Sequence, residues 1–236
     1  MKLEYLYPEI GNLYGDSANM RYLRACLPEA EYVETPLGAE PRFLKDDSVS
    51  FLYLGPMTER AQLLALASLA PFKKALEKRI QDGMFGLFTG NAMELLGKSI
   101  VTEHDTVKGL ELLDFTAKQD IARRYNSLFL GEADGIKLTA FNSRFSHVTP
   151  GEGLTSFAQV KRGEGLNKGC PFEGYRYQNF IGTYLLGPLL VLNPLFTEKL
   201  LADMGFPDRK PAFYEEAMEA YRIRISEFED PKRHLD

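Results

Sequence analysis

The stretch "MFGLFTGNAMELLGKS", residues 84–99, constrains the fold of this chain more than any other. An apolar run enters a turn at Thr89, Gly90 and Asn91, and a short helical run ending in Leu-Leu-Gly leaves it. That is the layout of a nucleophile elbow, in which a strand hands a Ser or Cys to a sharp turn before a helix. The turn here has neither. The layout predicts that Gly90 ends a central parallel strand with φ > 0 and that Asn91 starts a helix.

The preceding segments supply a sheet for that strand. "KLEYLY" (2–7), "AEYVET" (30–35) and "SVSFLYL" (48–54) are short runs rich in aromatic and β-branched residues and read as strands. Between the first two, "GDSANMRYLRACLPEA" places Met20, Leu23, Cys26 and Leu27 on one helical face and stops at Pro28, with Asp16, Ser17 and Asn19 as candidate caps and a retained cleft as the alternative place for Asp16 and Asn19. After residue 54 a turn containing Gly55 and Pro56 leads into helical sequence to about residue 82, split at Pro71, with Phe72, Leu76 and Ile80 recurring at i+4. This rhythm predicts an α/β fold, a three-layer α/β/α flavodoxin-like arrangement with a mostly parallel central sheet. In such sheets ligands bind beyond the carboxyl ends of the strands, where the turns at 55–62 and 89–91 fall.

The second half changes character. "LELLDF", "NSLFLGE", "GIKLTAFN" and "SFAQVKR" are strand-like runs separated by turn residues. A helix is expected over Pro194–Met204, and a final amphipathic helix carries Tyr214, Met218, Tyr221, Ile225 and Phe228 on one face. With no linker and no internal repeat, residues 1–236 read as one domain.

Charge and cysteine content exclude several classes. A formal net charge of −5 with scattered basic residues leaves no stripe for nucleic acid. The apolar run "YLLGPLLVLNPLF" is broken by Gly187, Pro188 and Pro194, and no stretch has membrane-span length. Cys26 and Cys170 make neither a disulfide framework nor a metal site, so the plain reading is a cytoplasmic protein with no metal and no cofactor.

Six stretches stand in order along the chain: "LYPEIGNLYGDSANMRYLR", "FLYLGPMTERAQ", "FTGNAMELLG", "LELLDFTA", "KRGEGLNKG" and "IGTYLLGPLLVLNPLFTEKLL". Together they resemble the class I glutamine amidotransferases of the CobB/CobQ type, and within them the GatD branch, the small subunits of lipid II isoglutaminyl synthases. The likeness runs from near residue 4 to the C-terminal helix. The family hydrolyses glutamine to glutamate and ammonia with a Cys–His pair and an oxyanion hole. Carried over position by position, the Cys falls on Gly90 and the His on Leu186. The Gly-Gly-Gly turn becomes Gly55-Pro56-Met57, in which proline has no N–H to give. The glutamine of the elbow helix becomes Glu94, and an arginine after the Leu-Leu-Asp segment falls on Arg123 or Arg124.

The resemblance therefore implies a chain that has lost nucleophile, base and one oxyanion donor together. It implies a vestigial cleft in which Gly55, Asn91, Glu94, Arg123 and Arg124 are candidate contacts to glutamine or another small ligand. It also implies a heteromer with a Mur-ligase-like partner of the MurT type, which activates a peptidoglycan-stem glutamate with ATP. The alternative is an active hydrolase or amidotransferase with relocated groups, for which Glu94, Cys170 and His147 are the candidates. Against it, Cys26 reads as core, Cys170 as a loop thiol, and Thr89 as strand-end packing without an adjacent base. His104, His147 and His234 lie outside the "GTYLLGP" block, and Tyr184 and Asn193 read as structural.

Overall fold

The structure is a computed structural model and describes residues 1–234. Its first part alternates strand and helix: β1 (Lys2–Leu6), α1 (Ala18–Cys26), β2 (Glu31–Thr35), β3 (Val49–Leu54), α2 (Glu59–Leu69), α3 (Lys73–Gln81) and β4 (Phe85–Thr89). A 3-10 turn at Ala70–Phe72 carries the chain past Pro71 between α2 and α3. A further 3-10 helix, Gly90–Leu96, leaves β4.

The second part adds β5 (Ser99–Val101), β6 (Thr106–Lys108), β7 (Phe115–Gln119), β8 (Tyr125–Ala133), β9 (Ile136–Arg144), β10 (Ser146–Pro150), β11 (Thr155–Arg162), β12 (Phe172–Tyr177) and β13 (Phe180–Thr183). The helices α4 (Leu189–Leu192), α5 (Pro194–Asp203) and α6 (Tyr214–Glu229) follow.

A nine-stranded sheet runs β2-β1-β3-β4-β13-β12-β11-β8-β9. The members from β2 to β13 are parallel, and those from β13 to β9 antiparallel. Period-2 alternation explains why the parallel strands lie inside. Leu3, Tyr5, Phe51 and Tyr53 pack on one face against α1, α4 and α5, while Leu6, Leu52 and Leu54 pack on the other against α2 and α3. A four-stranded sheet, β10-β7-β5-β6, joins the second face through Ile100, Ala117 and Val148. Each large apolar side chain so enclosed contributes about 1.5–3 kcal/mol, and a strand buried on both faces is stable only with such double cover.

Two expectations need correction. "LELLDF" is a strand only from Phe115 onward. The backbone N–H groups of Leu110, Leu112 and Leu113 instead donate to the carbonyls of Leu95 and Leu96, satisfying the open end of the 3-10 helix. Asp16, Ser17 and Asn19 are not side-chain caps. Ser17 has helical backbone angles and no capping bond, and the side chains of Asp16 and Asn19 are turned into the interior.

Because β1, β3, β4 and β13 are parallel, their carboxyl ends open on one edge of the sheet. The strand order reverses between β1 and β3, the switch point where this architecture leaves a crevice.

Candidate functional site

Gly90 directly follows β4, with β3 and β13 as its neighbours, and has φ +58°. Pro56 lies just beyond β3, and Leu186 just beyond β13. The three positions meet. A Cβ placed on Gly90 would stand 2.6 Å from the Cβ of Pro56 and 3.5 Å from Leu186 Cδ2. Leu186 is fully enclosed, and its backbone exchanges both hydrogen bonds with Phe141 of β9, at 2.9 and 3.1 Å. The space at the elbow is thus taken by the pyrrolidine ring of Pro56, with the aliphatic side chain of Leu186 at ordinary contact distance.

At Pro56 and Met57 the first turn offers no free donor either. Pro56 has no N–H, and the Met57 N–H donates to Asn91 Oδ1 at 3.0 Å. Asn91 Nδ2 returns a bond to the Met57 carbonyl at 2.8 Å. Asn91 is therefore a clamp that closes the β3 turn onto the elbow, and both ends of its amide are occupied.

Glu94 has no exposed surface. It accepts from Gln62 Nε2 at 2.7 Å, from the Tyr184 hydroxyl at 2.8 Å and from the Ser146 hydroxyl. Burial pushes its pKa up against those bonds. Gln62 also donates to the Asn91 carbonyl at 2.7 Å, so Glu94 braces the elbow helix from behind. Gly55 packs equally close. A Cβ there would meet the Gly11 carbonyl at 2.3 Å, so only glycine lets the β1 and β3 loops touch.

Thr89 does have a base beside it, contrary to the sequence reading. Its hydroxyl donates to Asp16 Oδ2 at 2.5 Å, and the Tyr53 hydroxyl donates to the same oxygen at 2.7 Å. Burial raises the Asp16 pKa to about 6 against these two bonds. Asn19 joins the group, with its Nδ2 donating to the Asp16 carbonyl at 3.1 Å and its Oδ1 accepting from the Leu190 N–H at 2.9 Å. Thr89 is wholly enclosed and Asp16 is 1% exposed, so this cluster ties β3, β4, α1 and α4 together in the interior.

In front of the elbow lies a cleft of about 330 Å³ whose wall includes Tyr14, Pro56, Glu59, Asn91, Arg124 and Arg144. Tyr14, in left-handed backbone with φ 61°, reaches across to β9 and donates to Ser143 Oγ at 3.0 Å. Of the two candidate arginines, Arg124 lines the cleft, lying 4.6 Å over the Phe145 ring. Arg123 stands 5.2 Å over Tyr125 and is not part of that wall. Arg144 was missed by sequence reasoning. The signal was available, since the inward register of β9 runs Leu138, Ala140, Asn142, Arg144.

The other candidates stay outside the cleft wall. His147 sits in β10 edge-on to Tyr125 at 5.2 Å, its pKa lowered by burial and then by the Arg144 charge. Cys170 is half-buried in a turn closed by its N–H to the Asn167 carbonyl. Cys26 is core, its sulfur accepting from the Ala212 N–H at 3.2 Å. Asn193 joins β9 to α4, bonding both backbone groups of Thr139 and the Leu189 carbonyl.

A flavodoxin-like parallel sheet with an elbow at the end of a central strand is the fold of class I glutamine amidotransferases. A solved glutamine amidotransferase superposes with a TM-score of 0.58 at 14% identity, over 86% of this chain and 99% of the other. One from Thermotoga maritima gives 0.56 at 10% identity, over 94% and 92%. Residues 5–193 match the CobB/CobQ-like glutamine amidotransferase domain, and the chain belongs to that family. Among its relatives is the glutamine-hydrolysing lipid II isoglutaminyl synthase subunit GatD of Staphylococcus aureus, 28% identical over 199 residues, covering 83% of this chain and 78% of the relative. GatD of Streptococcus pneumoniae is 25% identical over 218 residues, covering 85% and 79%. Among the described residues no helix is long and apolar enough to cross a membrane.

Proposed function

We propose that this chain is a GatD-like amidotransferase subunit of lipid II amidation that no longer hydrolyses glutamine. It acts as the non-catalytic partner or regulator of a MurT-like Mur ligase in the cytoplasm, with residues 1–236 working as one domain. The observation that carries the reading is the filled elbow. Pro56 occupies the space into which a side chain on Gly90 would project, Leu186 stands in contact with it as an aliphatic side chain and not a base, and the Met57 N–H is spent on Asn91. A thiolate mechanism needs a nucleophile, a base within hydrogen-bond reach and free donors for the oxyanion; here position 90 carries no thiol, position 186 no imidazole, and Pro56 and Met57 give no free donor. The likeness to GatD chains supports the process and the kind of partner.

Co-expression with a MurT-like ligase tests the proposal. A complex should elute together on gel filtration, and its stem-peptide amidation should run on added ammonium and fail on glutamine. Amidation driven by glutamine, or two separate peaks, contradicts it.

A further inference from the structure

Arg144 is 5% exposed, and β9 carries it inward beneath the cleft. Its Nε donates to the Ser146 carbonyl at 2.8 Å and its Nη2 to the Gly165 carbonyl at 2.6 Å, while the guanidinium lies 4.1 Å over the Tyr184 ring. Nη1 is buried and has no partner. A buried donor left unpaired costs about 1–3 kcal/mol, and native proteins keep few of them. The buried carboxyls whose charge acts on this region do not take it up. Glu94 bonds Gln62, Ser146 and Tyr184, and Glu173 bonds Thr183 and the Tyr184 N–H. The cleft wall holds a second guanidinium, Arg124, against a single acidic side chain, Glu59. The first turn of α2 also lies in that wall, with the positive end of its dipole toward the cavity.

We propose that this cleft binds a small dicarboxylate in preference to glutamine, with one acidic group on Arg124 and the other on Arg144. Guanidinium forks match carboxylates in shape as well as charge, and such bonds are about twice as strong as neutral ones. A carboxamide in place of the second carboxylate would leave one guanidinium without an anion. The elbow side, made of Pro56 and Met57, offers that amide no free donor. The volume suits a compact ligand and lies at the low end of small-molecule sites. Arg124 is exposed and free to swing onto the ligand. Arg144 is anchored by its two carbonyl bonds, and its Nη1 is the donor left for a ligand. The inference rests on the reading that the cleft does not hydrolyse glutamine.

Isothermal titration of the full chain with L-glutamate, glutarate, L-glutamine and inorganic phosphate tests it. Both diacids should bind, with glutamine and phosphate weaker by about tenfold or more. Arg124→Gln and Arg144→Gln should each weaken the diacids by about tenfold or more. Because Arg144 is buried, its variant is checked by circular dichroism, and if it does not fold, Arg124→Gln decides alone. Glutamine or phosphate binding as tightly as the diacids overturns the inference. So does Arg124→Gln without effect, or no diacid binding up to about 10 mM. Those failures leave the loss of hydrolysis standing, whereas ammonia release from glutamine in the same solutions would overturn that reading instead.

Discussion

The Cβ of Pro56 stands 2.6 Å from the point where a Cβ on Gly90 would lie. That distance is below any ordinary carbon–carbon contact, so the two positions exclude each other's side chains. A proline in the β3 turn and a side chain at the elbow are alternatives, and this chain has the proline. The left-handed angles of Gly90 reinforce the exclusion, because only glycine adopts them freely.

Gly90→Ala should therefore lower stability by about 1–3 kcal/mol, the usual cost of a side chain in a strained backbone well. In Pro56→Gly/Gly90→Ala the contact part of that loss should disappear and the backbone part remain. The double-mutant cycle, read by urea denaturation, should show coupling of about 0.5 kcal/mol or more. Strict additivity would mean that the two residues do not meet.

Asn91→Ala should cost at least about 1–3 kcal/mol, because it strands the enclosed Met57 N–H. Asn91→Asp keeps an acceptor for that N–H and loses only the donor to the Met57 carbonyl, so it should fall between the parent and the alanine variant. Equal stability of all three proteins in urea would remove the clamp from the account.

Burial raises the Glu173 pKa to about 7, against bonds from Thr183 and the Tyr184 N–H, from an ordinary value of 4.5. Asp16 rises from 3.8 to about 6. A raised carboxyl pKa means that the folded state holds its proton more tightly than the unfolded chain does. Each group thus favours folding most below its unfolded pKa, and that contribution is lost as pH climbs through its folded one. Stability should decline between about pH 4 and pH 7 from these two groups. Glu173→Gln should flatten the upper part of the decline, seen as a smaller change in urea midpoint between about pH 5 and pH 8. An unchanged slope in that variant would show that Glu173 is not the titrating group.

The repeating first half was legible because "KLEYLY" and "SVSFLYL" are short runs rich in aromatic and β-branched residues and Phe72, Leu76 and Ile80 repeat at helical spacing. The meeting of Gly90, Pro56 and Leu186 was legible only through the family resemblance. No local pattern links Pro56 to Gly90 across two helices and a strand, or Gly90 to Leu186 across nine strands. "LELLDF" misled because its apolar residues serve the end of a 3-10 helix, a use of backbone donors that hydrophobicity does not report. Asp16 and Asn19 looked like caps because their types and positions suit capping. Tertiary partners on β3, β4 and α4 claimed them instead. Arg144 escaped because a charged residue reads as surface, although its register on β9 placed it inside.

Glutamine hydrolysis by the purified, unmutated protein, followed as ammonia release, tests the central claim most directly. The account predicts no release above the protein-free rate, alone or with a MurT-like ligase. It predicts the same for Gly90→Cys and for Gly90→Cys/Leu186→His, since groups that act as a unit are strongly non-additive. Turnover should first appear, slowly, when Pro56→Gly is added, because one missing oxyanion donor alone costs about 2.7–4 kcal/mol. Steady ammonia release by the unmutated chain, unaffected by Gly90→Cys, would contradict the account and place the chemistry at residues other than these three.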